Sequence, residues 1–197
     1  MNLTILERGN YLCYLNQDYT EDNWTYSCAL TGGGWFGFKS AYSANTAAIF
    51  DRSNEVVGNL KFHSRLFRPH LLKVELVGKS ETITVEAKFL KKLAYFPFTF
   101  ELDGRSYRLD AFRGHYRILY ENDIQVASFD KKKLTFFDRD TFVTRAENHL
   151  DVVLLFALSI FDDIWTSNDE STVTLDVGNV GFPKPPDNKN WKPKLTT

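Results

Sequence analysis

Four histidines, two cysteines and a run of carboxylates are the side chains of this sequence whose types could do chemistry. His63, His70, His115 and His149 are spread so that none stands at metal-pair spacing from another His or Cys on a helix. His63 and His70 could approach across a hairpin with a carboxylate completing a site, but the default expectation for all four is solvated strand residues. Cys13 and Cys28 form neither a CxxC redox pair nor a zinc spacing. Both sit in apolar stretches and are expected to be reduced core residues. Asp162, Asp163, Asp169 and Glu170 place four carboxylates within nine residues. No EF-hand spacing orders them. They are expected to be solvated side chains at the mouth of the fold, paired with Lys or Arg. The glycine-rich stretch Thr31 to Phe38 lacks the Gly-Lys-Ser/Thr that cradles phosphate, and an aromatic strand follows it rather than a helix, so it is a turn. No Gly-x-Ser-x-Gly, no His-Glu-x-x-His and no Cys beside His occurs. The expectation is a chain without catalytic residues, metal or cofactor, and hence not an enzyme.

Charge is more informative. The 197 residues carry 24 Lys and Arg against 25 Asp and Glu, a net charge of −1. That excludes the overall basic character of a nucleic-acid coat protein, so no nucleic-acid partner is expected. The balance is uneven along the chain. Residues 1–60 hold 3 basic and 6 acidic side chains, residues 61–117 hold 12 and 6, and residues 118–197 hold 9 and 13. Within the basic middle, Lys61, Arg65, Arg68, Lys73, Lys88, Lys91 and Lys92 form a candidate patch for anionic lipid. Lys91 and Lys92 run directly into Leu93, Tyr95 and Phe96, a coupling of cations to aromatics that suits an anionic membrane surface. Glu75 and Glu86 share those strands and offer the competing reading, cross-strand ion pairs.

The elements that must position these residues follow from periodicity. Alternating apolar residues recur in short runs: Val56, Leu60 and Phe62; Leu72, Val74 and Leu76; Ile83, Val85, Ala87 and Phe89; Phe98, Phe100 and Leu102; Tyr107, Leu109 and Ala111; Tyr116, Ile118 and Tyr120; Ile124 and Val126; Leu134 and Phe136. Each predicts a strand with one buried and one wet face. Turn chemistry separates them at short intervals, Asp103-Gly104 being a clear hairpin signal. Roughly fourteen short antiparallel strands are more than an open sheet tolerates, which points to a closed barrel or a sandwich. One segment differs. From Val152 to Leu158 every residue is apolar. A helix apolar all round must be buried all round. A helix over about 149–165, with Asn148 as N-cap and Asp151 answering it, is therefore expected to thread the β-structure. A last strand is expected over Ser171 to Val177. Residues 1–177 form one domain, and the Pro- and Asn-rich residues 178–197 form an extended tail. No run reaches the ~18–20 apolar residues of a membrane-spanning helix. The N-terminus lacks the basic and apolar regions of a signal peptide. A cytoplasmic location, with peripheral attachment to a membrane, is the resulting expectation.

A meander that feeds an all-apolar helix resembles the tubby C-terminal-like superfamily, and most closely its LURP-one-related branch. The likeness is carried by Phe98 to Gly104, Tyr107-Arg108-Leu109, Tyr116 to Tyr120, Val126 to Lys132, Asp140 to Val143, and Leu154 to Asp163. Where the family has Asp-x-Tyr, this chain has Asp140-Thr141-Phe142. The resemblance implies a closed barrel of twelve antiparallel strands around a central hydrophobic helix. It also implies kinship with phosphoinositide-binding tubby domains and with phospholipid scramblases. It transfers no ligand-binding position residue by residue. The leading expectation is a non-catalytic binding module for anionic phospholipid headgroups. The alternative is a protein-interaction domain, an adaptor or a bacterial immunity-type protein, docking through its acidic regions. A barrel-mouth enzyme ranks below both.

Overall fold

A computed structural model describes residues 1–7, 11–15, 23–31, 45–63, 71–79, 82–87, 97–111, 116–132, 141–167 and 191–192. Twelve strands precede one helix: β1 Asn2–Glu7, β2 Tyr11–Leu15, β3 Tyr26–Thr31, β4 Asn45–Asp51, β5 Val56–His63, β6 Leu71–Leu76, β7 Thr82–Ala87, β8 Phe98–Leu102, β9 Arg105–Ala111, β10 Tyr116–Glu121, β11 Ile124–Lys132, β12 Thr141–Ala146 and α1 Val152–Ser167. Each strand pairs antiparallel with its neighbour in sequence. β1 also pairs with β12, with Leu3 opposite Thr144 and Ile5 opposite Phe142, which closes the barrel. Closure removes the exposed edges that a twelve-stranded open sheet would carry. No described helix is long and apolar enough to cross a membrane.

Local chemistry sets the hairpins. Asp103 and Gly104 both have positive φ, 51° and 71°, and so do Asn122 and Asp123, at 46° and 66°. Two consecutive left-handed residues match the twist of the flanking strands, and Gly, Asn and Asp accept that conformation most readily. At the β4–β5 turn the Asp51 carboxylate accepts backbone N–H bonds from Ser53 and Glu55, both at 2.9 Å.

The helix fills the barrel. Leu154, Leu155, Phe156, Ala157, Leu158 and Ile160 are buried, in one cluster with inward side chains from all twelve strands. Phe161 stacks on Phe62 of β5 at 6.2 Å between centroids and meets Phe98 of β8 edge-on at 4.9 Å. Near the start of the helix Val153 passes close over β5. A Cβ built on Gly58 would stand 3.1 Å from Val153 Cγ1. The helix begins later than the expected 149. Asp151 is its N-cap, its Oδ1 accepting from Val153 N at 2.8 Å and Leu154 N at 3.1 Å. Asn148 accepts instead from the Met1 amine.

The alternation is misleading in two strands. Val56 was expected to point inward with Leu60 and Phe62, yet it is 39% exposed. The register between β4 and β5 shifts beside it, so Val57 packs against the core in its place. A bulge inserts one residue and inverts the facing of what precedes it. In β10 the expected face was Tyr116, Ile118 and Tyr120. The inward face is Arg117 and Leu119 instead, because Leu119 pairs with inward Leu109 and Arg117 reaches the helix. Ile118 and Tyr120 point outward and are nevertheless buried, as are Asp110 and Ser128 beside Ile118. A strand buried on both faces gives no clear period-2 signal. Ile124, assigned to the inner face with Val126, is exposed where β11 leaves its turn.

Candidate functional site

The structure describes two of the seven patch residues. Lys61 of β5 and Lys73 of β6 are exposed on the outer face and stand directly opposite each other in the ladder. Exposed Thr46 of β4 and Thr84 of β7 extend the same row on either side. Glu75 lies opposite Asn59 and Thr82, and Glu86 opposite Leu71 and Thr99. The competing cross-strand pairing of these acids with the two lysines is therefore not what the register sets up. No ion pair among the described residues involves Lys61 or Lys73. Like charges directly opposite cost roughly 0.2–1 kcal/mol. Arg65 and Arg68, in the segment between β5 and β6, lie outside the described residues, as do Lys88, Lys91 and Lys92 between β7 and β8. The glycine-rich stretch beyond Thr31, His70, His115, Asp169, Glu170, Leu134, Phe136, the expected strand at 171–177 and residues 178–190 lie outside them too, and nothing is described of the His63 side chain.

The helix carboxylates correct an expectation. Asp162 and Asp163 are not solvated at the barrel mouth. They are 3% and 1% exposed, inside it. Arg117 Nε donates to Asp162 Oδ1 at 2.5 Å, and Tyr11 Oη donates to Asp163 Oδ2 at 2.6 Å. A buried charge is tolerated only when paired and hydrogen-bonded. The expected Arg partner is present, and burial is what the sequence did not convey. The missed signal was the lone Arg117 in the apolar strand Tyr116 to Tyr120. Higher on the helix, Ser159 Oγ donates to the Leu155 carbonyl at 2.9 Å and lies 3.4 Å from Thr144 Oγ1 of β12. These polar contacts fix the helix in one rotation and depth.

A second polar cluster lies where the helix enters. Glu121 at the end of β10 accepts at Oε1 from Arg105 Nη1 at 2.9 Å, and at Oε2 from Tyr107 Oη at 3.0 Å. His149 Nε2 lies 2.7 Å from the same Oε2. Burial alone would push the Glu121 carboxyl up. The His149 and Tyr107 hydrogen bonds, with the Arg105 charge, outweigh burial and hold it below its ordinary value. Tyr107 is pushed up to about 12, by burial first and then by its bond to Glu121. His149 is thus tied to a carboxylate rather than merely solvated. The cluster straps the segment before α1 to β9 and β10. Among the described residues, no hydroxyl or thiol is hydrogen-bonded to His149. Cys13 and Cys28 are buried free thiols on neighbouring strands. Burial pushes Cys13 far up and Cys28 up to about 12, which leaves both as inert thiols. Among the described residues no group of three or more His, Cys, Asp or Glu could hold a metal ion.

The fold defined by these elements is a closed twelve-stranded antiparallel barrel plugged by its own helix. Comparison of the chain with protein-family models, with curated proteins and with solved structures gives no match.

Proposed function

We propose that this protein is a non-catalytic binding module that recognises anionic phospholipid headgroups through its basic middle region. The observation that carries the reading is the direct opposition of exposed Lys61 and Lys73. An unneutralised like-charge pair is a small liability in the free protein, and an anion bound over it removes that liability. The segments flanking these strands add Arg65, Arg68, Lys88, Lys91 and Lys92 in sequence. The barrel interior favours the same reading, since helix side chains occupy it and binding is left to the outer surface and ends. The twelve-stranded closure around a helix is also the architecture that a tubby-like, LURP-one-related kinship implies, and we carry that kinship as part of the proposal.

The test is co-sedimentation with vesicles. Binding to phosphatidylserine vesicles is expected at low salt. It should vanish near 1 M salt, where the Debye length falls to ~3 Å. Neutral phosphatidylcholine vesicles should not bind. Equal binding to neutral and anionic vesicles, or none to either, overturns the proposal. Retention by a basic or acidic protein partner without vesicle binding would favour the protein-interaction reading instead.

A further inference from the structure

Thr46, Lys61, Lys73 and Thr84 form one row across the neighbouring strands β4, β5, β6 and β7 on the outer face of the barrel. All four side chains are exposed. The ladder sets the spacing at its centre. Val77 N donates to Val57 O at 3.0 Å. Stepping two residues at a time along both strands from that pair leads to Asn59 with Glu75 and then to Lys61 with Lys73. Lys61 and Lys73 are therefore a hydrogen-bonded pair, with Cα atoms ~5.5 Å apart. Their side chains leave the sheet side by side. The two ammonium groups repel each other when alone and can close on one small anion placed between them.

The surroundings of the row limit what that anion is. Glu75 lies two residues from Lys73 along β6, and Glu86 two residues from Thr84 along β7. Residues two apart on a strand share a face and lie ~7 Å apart. Both carboxylates are exposed. They repel any second negative group set beyond the first, so the row suits one compact anion of high charge rather than several spread ones. Lipid headgroups differ in these terms. A phosphodiester holds a single negative charge at its phosphate. A phosphomonoester holds about −1.5 to −2 and three strong acceptor oxygens on one phosphorus. Two of those oxygens can each take one ammonium at ~2.8 Å, and the third can accept from the Thr84 hydroxyl beside Lys73. Phosphatidylserine fits less well, because its ammonium meets the lysines and its carboxylate meets Glu75 or Glu86. A head with several phosphates brings the outer ones against the same two acids.

We infer that Lys61, Lys73 and Thr84 form a slot for a single terminal phosphomonoester, and that the lipid it selects is phosphatidic acid. The inference rests on the lipid reading and deepens it by naming the headgroup. The outer face of β5 and β6 is then the face turned toward the bilayer.

The test compares phosphatidylcholine vesicles that carry phosphatidic acid with others that carry enough phosphatidylglycerol to give the same electrophoretic mobility, at neutral pH and low salt. Matching the mobility removes the general surface field and leaves the headgroup as the difference. Wild type is expected to bind the phosphatidic acid vesicles roughly fivefold more tightly, the equivalent of one further cation contact at an anionic surface. Lys73→Gln should bring the ratio close to one. Thr84→Val keeps a β-branched strand residue, removes the hydroxyl and should lower the ratio, an effect that general attraction to charge does not produce. Both positions are exposed, and unchanged melting curves confirm the fold of the variants. Equal binding of wild type to the two vesicles overturns the headgroup and leaves the lipid reading standing. A ratio that neither variant changes places the selectivity elsewhere and overturns the slot. Stabilisation by inorganic phosphate over chloride at equal ionic strength, without a vesicle preference, assigns the slot to free phosphate and overturns the lipid headgroup. Binding to neither vesicle overturns both readings.

Discussion

Replacing Asp162 by Asn keeps the shape of the side chain and removes its charge. It leaves the Arg117 guanidinium inside the barrel beside a neutral amide, with side-chain exposures in the native pair of only 10% for Arg117 and 4% for Asp162. Solvent screening is slight at that depth. Breaking a buried pair from one side typically costs about 3–5 kcal/mol, because the remaining charge is uncompensated. For a chain of this length each kcal/mol lowers Tm by roughly 2–4 °C, so Asp162→Asn is expected to melt about 6–20 °C below wild type. The double replacement Arg117→Met with Asp162→Leu removes both charges and keeps apolar volume against the Phe98 ring, over which the guanidinium carbon lies at 6.0 Å. It is expected to lose far less than the two single changes combined. Chemical denaturation of the four proteins of this cycle gives the coupling directly. A cost below about 1 kcal/mol for Asp162→Asn, or additive effects in the double variant, would refute the placement of the pair inside the barrel.

Further changes probe other parts of the fold. Leu154→Ala and Leu155→Ala should each cost about 2–5 kcal/mol in urea denaturation, because every helix residue from Val153 to Asp163 is buried; a neutral change at either would contradict the plugged barrel. Gly58→Val should cost about 1–3 kcal/mol through its clash with Val153, and pairing it with Val153→Ala should recover part of the loss in the same assay. Lys61→Glu should raise stability by roughly 0.2–1 kcal/mol while weakening vesicle binding, opposite signs that a purely structural role for the lysine would not produce. The Glu121 carboxyl is held below its ordinary value, so its stabilising contribution is present above the unfolded value of about 4.3 and fades as pH falls through the lower folded value. Stability measured against pH should therefore decline less steeply on the acid side in Glu121→Gln than in wild type.

Much of the architecture was legible because it is written locally. Short alternating runs with Asp-Gly and Asn-Asp turns between them specify hairpins one after another, and a helix without a polar stripe has only one place to go. The rest depended on contacts between residues far apart in sequence. Arg117 and Asp162 are 45 positions apart, and only the fold reveals that they neutralise each other inside the barrel. A bulge at Val57 inverts the facing of Val56, and no pattern within β5 marks it. In β10, burial of the outer face hides which side of Tyr116 to Tyr120 faces the helix. For the candidate site, Lys61 and Lys73 were nameable from sequence, but their direct opposition is a property of register.

The central claim is that the basic region binds anionic lipid. It is tested most directly by comparing wild type with the double variant Lys61→Glu and Lys73→Glu for binding to phosphatidylserine vesicles at low salt. Each cation near an anionic surface contributes about 1 kcal/mol, and reversal adds repulsion of similar size, so the pair should account for about 2–4 kcal/mol. The account predicts that wild type binds and that the double variant, equally folded, binds at least about thirtyfold more weakly. Equal binding by the two proteins, or no binding by wild type, would contradict it.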